Sequence, residues 1–130
     1  MLKKTTTYVD YNGLERTEDY YFNLNEAELM EWEMGTTGGL VEMIKKITAS
    51  HDMSAIIKLF KELVLKSYGE KSADGKHFEK SEKISEAFSH TPAYPIIFME
   101  LATDAKAAAD FVNGIVPAKL SKKLEEQTKN

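Results

Sequence analysis

The fold is decided by residues 52–69, DMSAIIKLFKELVLKSYG. At the 3.6-residue period of an α-helix, its apolar side chains fall on one broad face that must pack against other apolar groups. Asp52 is suited to cap the helix N-terminus, and Gly69 is suited to end it. The stretch therefore predicts a helix at about 52–68, with its core face made by Ile56, Leu59, Phe60, Leu63 and Val64.

Leu65 breaks this pattern, because the helical period places it among Lys61, Glu62 and Lys66 on the charged side. Isolated exposed leucines are common on protein surfaces, so one interpretation is an ordinary surface residue. The other interpretation is a docking contact for another polypeptide. The sequence alone leaves both open.

Length and charge limit the class of protein. With 130 residues and a net charge of −4, the chain is long enough for one domain with a real core, and it lacks the positive charge of a general nucleic-acid binder. It contains no cysteine, and no apolar run has the length of a signal peptide or a membrane span. We expect a cytoplasmic protein that binds neither nucleic acid nor membrane.

Residues 3–23 predict a β-hairpin, because Thr-, Val- and Tyr-rich segments flank Asn12-Gly13. Asn-Gly is typical of a two-residue type I′ turn, which would place Tyr11 opposite Leu14. In that register one face of the ribbon would be apolar, and the residues of that face would be Val9, Tyr11, Leu14, Tyr20 and Phe22.

Four further helices are predicted from caps and periodicity, at about 25–34, 38–49, 81–90 and 92–113. Thr103-Asp104 is a legitimate cap, so a break of the last helix there is an open alternative. Residues 70–80 are poor in apolar side chains and predict a mobile loop with a turn at Asp74-Gly75. The fold class expected is α+β: mainly an α-helical bundle with an N-terminal β-hairpin, forming one domain over 1–117 with a flexible tail at 118–130.

The helix at 25–34 is unusual because its large apolar side chains spread around most of its circumference. One interpretation is a short helix wedged between the hairpin and the bundle. The other is an adaptable protein-binding surface, since flexible methionines beside an aromatic ring can pack against varied partners. On this second interpretation the partner-binding residues are Leu29, Met30, Trp32 and Met34, with Leu65 as a further candidate.

The sequence offers no constellation that would support catalysis or hold a cofactor or metal. His51, His77 and His90 form no HExxH motif and no i, i+4 ligand pair. Gly35-Thr36-Thr37-Gly38-Gly39 lacks the spacing of phosphate-binding loops and is interpreted as a helix connection. We therefore expect no enzyme activity, no cofactor and no metal.

Several segments together resemble one known family. They are YVDYNGLERTEDYYFNLNEAEL, MGTTGGLVEMIKKI, AIIKLFKELVLKSYGEKSADGKHF and SEAFSHTPAYPIIFMELATDAKAAADFVNGIVP. In this order they are similar to the tail assembly chaperones of long-tailed, siphovirus-type phages and prophages of Gram-positive bacteria. The similarity covers about residues 3–120 and includes no catalytic motif.

The resemblance implies a helical, non-enzymatic protein that acts in the cytoplasm of the bacterial host and is absent from the mature virion. Its expected partners are the tape-measure protein, which it would bind, and tail-tube subunits, which it would recruit. A longer, frameshifted form of the chain and a homo-oligomer are further partners compatible with the family, and the codons of Lys122-Lys123 are a candidate slippery site. The alternative function is that of a structural head-tail connector or tube-associated virion protein.

Overall fold

The computed structural model describes residues 1–117, apart from the side chains at positions 40, 41, 44, 47 and 48. The predicted tail at 118–130 lies outside the described residues. The strands are β1 (Leu2–Val9), β2 (Glu15–Phe22), β3 (Tyr68–Lys71) and β4 (Phe78–Glu79). The helices are α1 (Glu26–Gly35), α2 (Leu40–Ser50), α3 (Met53–Ser67), α4 (Glu82–Ser89), α5 (Ala93–Thr103) and α6 (Ala105–Ile115). The α+β class and the N-terminal hairpin are thus confirmed.

The four strands form one antiparallel sheet in the order β1-β2-β3-β4. β1 and β2 pair along their whole length, from Leu2 opposite Phe22 to Val9 opposite Glu15. The chain then passes through α1, α2 and α3 before β3 pairs with the end of β2, with Phe22 opposite Tyr68. The sheet thereby joins the N-terminal hairpin to the C-terminal end of α3.

The turn of the first hairpin differs from the prediction. The loop comprises residues 10–14, and of its residues only Gly13 has a positive φ, at 83°. The carboxylate of Asp10 accepts hydrogen bonds from the backbone N–H groups of Asn12 and Leu14, at 2.8 and 3.0 Å. The Asp10 carbonyl also accepts from the Gly13 N–H. A type I′ turn needs a positive φ at both central residues, and Asn12 does not have one. The prediction of a two-residue type I′ turn at Asn12-Gly13 was therefore wrong.

The longer loop shifts the strand register by one residue, which exchanges the faces of β1. Tyr8 and Thr6 point to the core, whereas Val9, Tyr11 and Leu14 are exposed. The predicted apolar face was therefore wrong for β1. It was right for β2, because Tyr20 and Phe22 are buried.

The sequence predicted one mobile loop at 70–80, and this prediction was wrong. β3 and β4 form a second hairpin, with Glu70 opposite Glu79 and a turn in which Gly75 has a φ of 76°. β3 begins directly after α3, so this helix ends at Ser67 and Gly69 lies inside the strand. Strand pairing with β2 explains why the chain extends here, since neither four-residue β3 nor two-residue β4 would be stable alone.

The predicted helix at 92–113 is divided in two at Asp104, which was the open alternative. Asp104 has an extended backbone, with φ −128° and ψ 105°, and its side chain caps α6 by accepting from the N–H groups of Lys106 and Ala107. The break lets α5 and α6 pack against each other as separate helices.

Aromatic side chains fill the space between the sheet and the helices. The ring of Phe88 stacks on that of Tyr68 with centroids 4.0 Å apart, and it also contacts Tyr20 and Phe22. Phe22 reaches α6 through Phe111, at 5.3 Å. This cluster fixes α4 and α6 on the sheet and so determines where α5 presents its outer residues.

Candidate binding groove

An open groove of about 1240 Å³ lies where α1, α3, α4 and α5 meet. We use the name "the groove" for the surface formed by Leu24, Glu28, Glu31, Trp32, Gly35, Thr36, Lys61, Leu65, Lys66, Lys80, Ser81, Glu82, Ser85, Glu86, Ser89, Tyr94, Pro95, Phe98 and Met99. It contains residues from both halves of the chain, so it exists only in the folded protein.

Apolar side chains line the bottom and one side of the groove. Tyr94 and Phe98 stand one helical turn apart on α5, with ring centroids 6.0 Å apart, and Met99 beside them is 54% exposed. Trp32 of α1 and Leu65 of α3 complete this surface and pack against the core from outside. The apolar surface is therefore partly accessible to solvent and held in place by the core below it.

Charged side chains also line the groove. Lys80 forms an ion pair with Glu28, its Nζ lying 2.8 and 2.7 Å from the two carboxylate oxygens, and it also donates to the carbonyl of Asn23. Lys66 Nζ lies 4.3 Å from the centroid of the Trp32 ring, within the range of a cation–π contact. These contacts hold α1 against β4 and α3, so they fix the width of the groove.

Three carboxylates at the edge of the groove, Glu31, Glu82 and Glu86, form no ion pair with any side chain in the described part of the chain. We call them the rim acids. They lie on two different helices, α1 and α4, and so leave acidic groups on two sides of the apolar surface. A ligand with basic groups beside apolar ones would complement this edge.

The structure divides the residues that the sequence proposed for partner binding. Trp32 and Leu65 lie together in the groove. Met30 and Met34 are 65% and 81% exposed and share another side of α1, because they are four residues apart and neither lines the groove. Leu29 is buried in the core with 7% exposure and therefore does not share an exposed surface with the other four residues.

Sequence reasoning missed the α5 side of the groove. Tyr94, Phe98 and Met99 all lie in the helix predicted at 92–113, and none of them was among the residues proposed for partner binding. A usable signal was present in the sequence, because the only charged residue of α5 is Glu100 and its large apolar side chains are not confined to one face. In the structure Ile96 and Met99 are about half exposed. A helix that carries apolar residues all round and still faces solvent on one side is typical of a binding surface.

Tyr94 is one of the titratable side chains of the groove. Burial raises the pKa of Tyr94, so its hydroxyl stays protonated in the groove. His51, His77 and His90 are exposed, and none of them is among the residues that line the groove. Over residues 1–117, no group of three or more His, Asp or Glu side chains is placed to hold a metal ion.

Among the described helices, none is long and apolar enough to cross a lipid bilayer. An open groove with an apolar bottom and a charged edge is the usual form of a site for an amphipathic helix. The fold and the groove therefore indicate the class of α+β proteins that bind other polypeptides.

Comparison with protein families agrees with that class. The family model described as phage tail assembly chaperone matches residues 1–130. The chain therefore belongs to the phage tail assembly chaperone family, which confirms the resemblance to phage tail assembly chaperones that the sequence indicated. Comparisons with curated proteins and with solved structures gave no significant match.

Proposed function

We propose that the chain binds the tape-measure protein through the groove and recruits tail-tube subunits through a second surface, without catalysing a reaction. It would do so in the cytoplasm of a Gram-positive host during assembly of a siphovirus-type tail. The observation that carries the proposal is the groove, whose apolar side chains remain accessible although the core beneath them is complete.

A tape-measure protein must be long and largely helical to span a tail, so its bare apolar face would aggregate in water. One face of an amphipathic helix, whose overall diameter is about 10 Å, would cover the apolar surface of the groove. The charged side chains at the edge would then meet the polar flanks of the same helix. Met99 would adapt to different client side chains, because methionine has three rotatable bonds and a polarisable sulfur.

Met30 and Met34 suit the second partner. They lie on the outer side of α1, away from the groove, and both are largely exposed. A tube subunit bound there would leave the groove free for the tape-measure segment. One protein could then hold both clients at once, as recruitment requires.

The test of the groove uses two exposed residues of α5. Met99 lines the groove, whereas Ile96, on the same helix and 45% exposed, does not. Met99→Glu should weaken binding of tape-measure fragments about tenfold or more, because a carboxylate would be desolvated against an apolar client. Ile96→Glu, the matched control, should bind within about twofold of the parent. Equal affinities of the two variants, measured by calorimetry on folded proteins, would refute the assignment of the groove.

The second surface is tested with the double variant Met30→Glu/Met34→Glu. It should lose retention of the tail-tube protein in pull-downs while keeping the parent affinity for tape-measure fragments. Loss of tape-measure binding with full retention of the tube protein would reverse the two assignments. Mass spectrometry of purified particles separates the chaperone from a structural virion part, since a chaperone should be absent from them.

A further inference from the structure

We infer that the groove selects an amphipathic helix that carries two basic side chains, one helical turn apart, beside its apolar stripe. The inference names the chemistry of the client and in that respect rests on the proposed function. It follows from the polar groove face of α4, from the apolar groove face of α5 and from the charges that the fold leaves unpaired. The basic pair of the client would lie against α4, and its apolar stripe against α5.

The groove face of α4 is entirely polar. The residues of α4 that line the groove are Glu82, Ser85, Glu86 and Ser89, which share one side of the helix. The Ser85 hydroxyl donates to the carbonyl of Leu65 at 2.9 Å, and the Ser89 hydroxyl donates to the carbonyl of Glu86 at 2.6 Å. Both hydroxyl protons are therefore engaged inside the protein, and the two glutamates carry the charge of this face.

The spacing of the two glutamates defines the spacing of a complementary ligand. Glu82 and Glu86 are four residues apart, so their side chains are neighbours about one turn, or about 5–6 Å, apart along α4. Neither carboxylate forms an ion pair in the described part of the chain. Positions i and i+4 of a client helix lying along α4 have the same spacing. Lys or Arg side chains at those positions would therefore meet both carboxylates and relieve their mutual repulsion.

The groove face of α5 adds the second requirement. It brings Tyr94, Phe98 and Met99 to the groove and no charged side chain. A purely basic ligand would leave this apolar surface in water, whereas a purely apolar ligand would bury the carboxylates of α4 without a partner, which is costly. A helix with an apolar stripe and a basic flank satisfies both faces.

The lysines of the groove do not neutralise α4. Lys80 is paired with Glu28, and Lys66 lies over the ring of Trp32. Lys61 belongs to α3 and forms no ion pair with any carboxylate among the described residues. The groove thus presents acidic groups from α4 and basic groups from α3. A client with an acidic flank against α4 would be repelled.

The first experiment uses a synthetic helical peptide of about 18 residues, long enough to form a helix on its own. It has a leucine stripe, two lysines four residues apart at one border of the stripe, and alanine and glutamine elsewhere. Calorimetry at about 0.1 M salt should show about fivefold weaker binding when glutamates replace the two lysines, as expected for two exposed charge pairs. At about 1 M salt, where the screening length is about 3 Å, the two peptides should bind within about twofold of each other.

Variants of the protein locate the charge effect. Glu82→Gln/Glu86→Gln should weaken binding of the lysine peptide about fivefold. The control Glu15→Gln/Glu70→Gln makes the same change of charge at two exposed positions outside the groove and should bind like the parent. Glu82→Lys/Glu86→Lys should invert the preference and bind the glutamate peptide more tightly, which a merely structural effect would not do. If that variant does not fold, the glutamine variant decides.

Three results would overturn the inference. They are equal affinity of the parent for the two peptides, parent affinity of the lysine peptide for Glu82→Gln/Glu86→Gln, and an unchanged preference in a folded Glu82→Lys/Glu86→Lys variant. Self-association of the parent that is lost in the glutamine variant would identify a second copy as the occupant, and it would overturn the inference as well.

Tape-measure fragments separate this inference from the proposed function. The uncharged variant Met99→Ser should weaken the lysine peptide several-fold, because it removes an apolar contact without adding charge; parent affinity would place the peptide outside the groove and overturn the inference. If the charge preference holds but the fragments do not compete with the peptide, the inference stands and the groove is not the tape-measure site. If Met99→Ser weakens fragment binding while Glu82→Gln/Glu86→Gln changes neither ligand, the proposed function stands and the inference fails.

Discussion

Lys80 is predicted to be the residue that sets the position of α1 beside the groove. Its side chain is 18% exposed and its partner Glu28 33% exposed, with Nζ 2.7 Å from the nearer carboxylate oxygen. At this distance the Coulomb attraction is about 1.5 kcal/mol in bulk water and about 6 kcal/mol at an effective dielectric constant near 20, before the cost of desolvation. Fully exposed pairs contribute about 0.2–1 kcal/mol, so this partly buried pair should contribute about 1–2 kcal/mol.

The assay is a double-mutant cycle on the free energy of unfolding, with Lys80→Met, Glu28→Gln and both together. Lys80→Met alone should cost about 2 kcal/mol, because it also removes the donor to the Asn23 carbonyl. Glu28→Gln keeps an acceptor for the Asn25 N–H, so the helix cap survives. The coupling energy should be about 1–2 kcal/mol. A coupling below about 0.3 kcal/mol would refute the reasoning.

Three further predictions concern the fold. Phe88→Ala should cost about 3–5 kcal/mol by urea unfolding, because Phe88 is only 3% exposed, while Tyr11→Ala at the exposed hairpin loop should stay within about 0.5 kcal/mol; similar costs would contradict the core assignment. Gly69→Ala should cost about 1–3 kcal/mol, since a Cβ would lie 2.8 Å from a backbone carbonyl oxygen of β4, whereas Gly35→Ala meets nothing and should not destabilise. Burial, followed by a hydrogen bond with Tyr8, raises the pKa of Tyr20 well above 10.0. Above about pH 10 the unfolded chain releases this proton while the folded chain keeps it, so stability should fall by up to about 1.4 kcal/mol per pH unit, and Tyr20→Phe should remove that part of the slope.

The elements that local chemistry specifies could be predicted from the sequence. The capping box of Asn25 and Glu28 and the caps at Asp52 and Ser81 are all present, because each depends only on side chains within three residues of a helix start. Asp104 belongs to the same group, although the sequence could not choose between one helix and two. Local signals of this kind are independent of the rest of the fold.

Features that depend on distant pairing could not be predicted. β3 is strand only because it lies beside β2, and nothing in residues 68–71 alone demands it. The hairpin register depends on the Asp10 side chain, which competes with the expected Asn12-Gly13 turn by binding two backbone N–H groups. One residue of shift was enough to exchange the faces of β1.

The sequence indicated the groove only at residues that depart from the apolar pattern of their helices. Leu65 broke the pattern of its helix, and the structure places it in the same groove as Trp32, whose helix had no single apolar face. The α5 residues completed the surface, but their distance along the chain hid the relation. Anomalies in periodicity thus located half of the groove, while its other half required the packing of α5 against α3.

Site-specific photo-crosslinking in cells that produce the tape-measure protein tests the central claim most directly. A photoreactive phenylalanine derivative replaces Met99 in one protein and Ile96 in another, so the two probes stand on the same helix, one within the groove lining and one outside it. We predict crosslinks from position 99 to one segment of the tape-measure protein and none from position 96. Equal crosslinking from both positions, or crosslinks from position 96 alone, would contradict the claim that the groove holds the client.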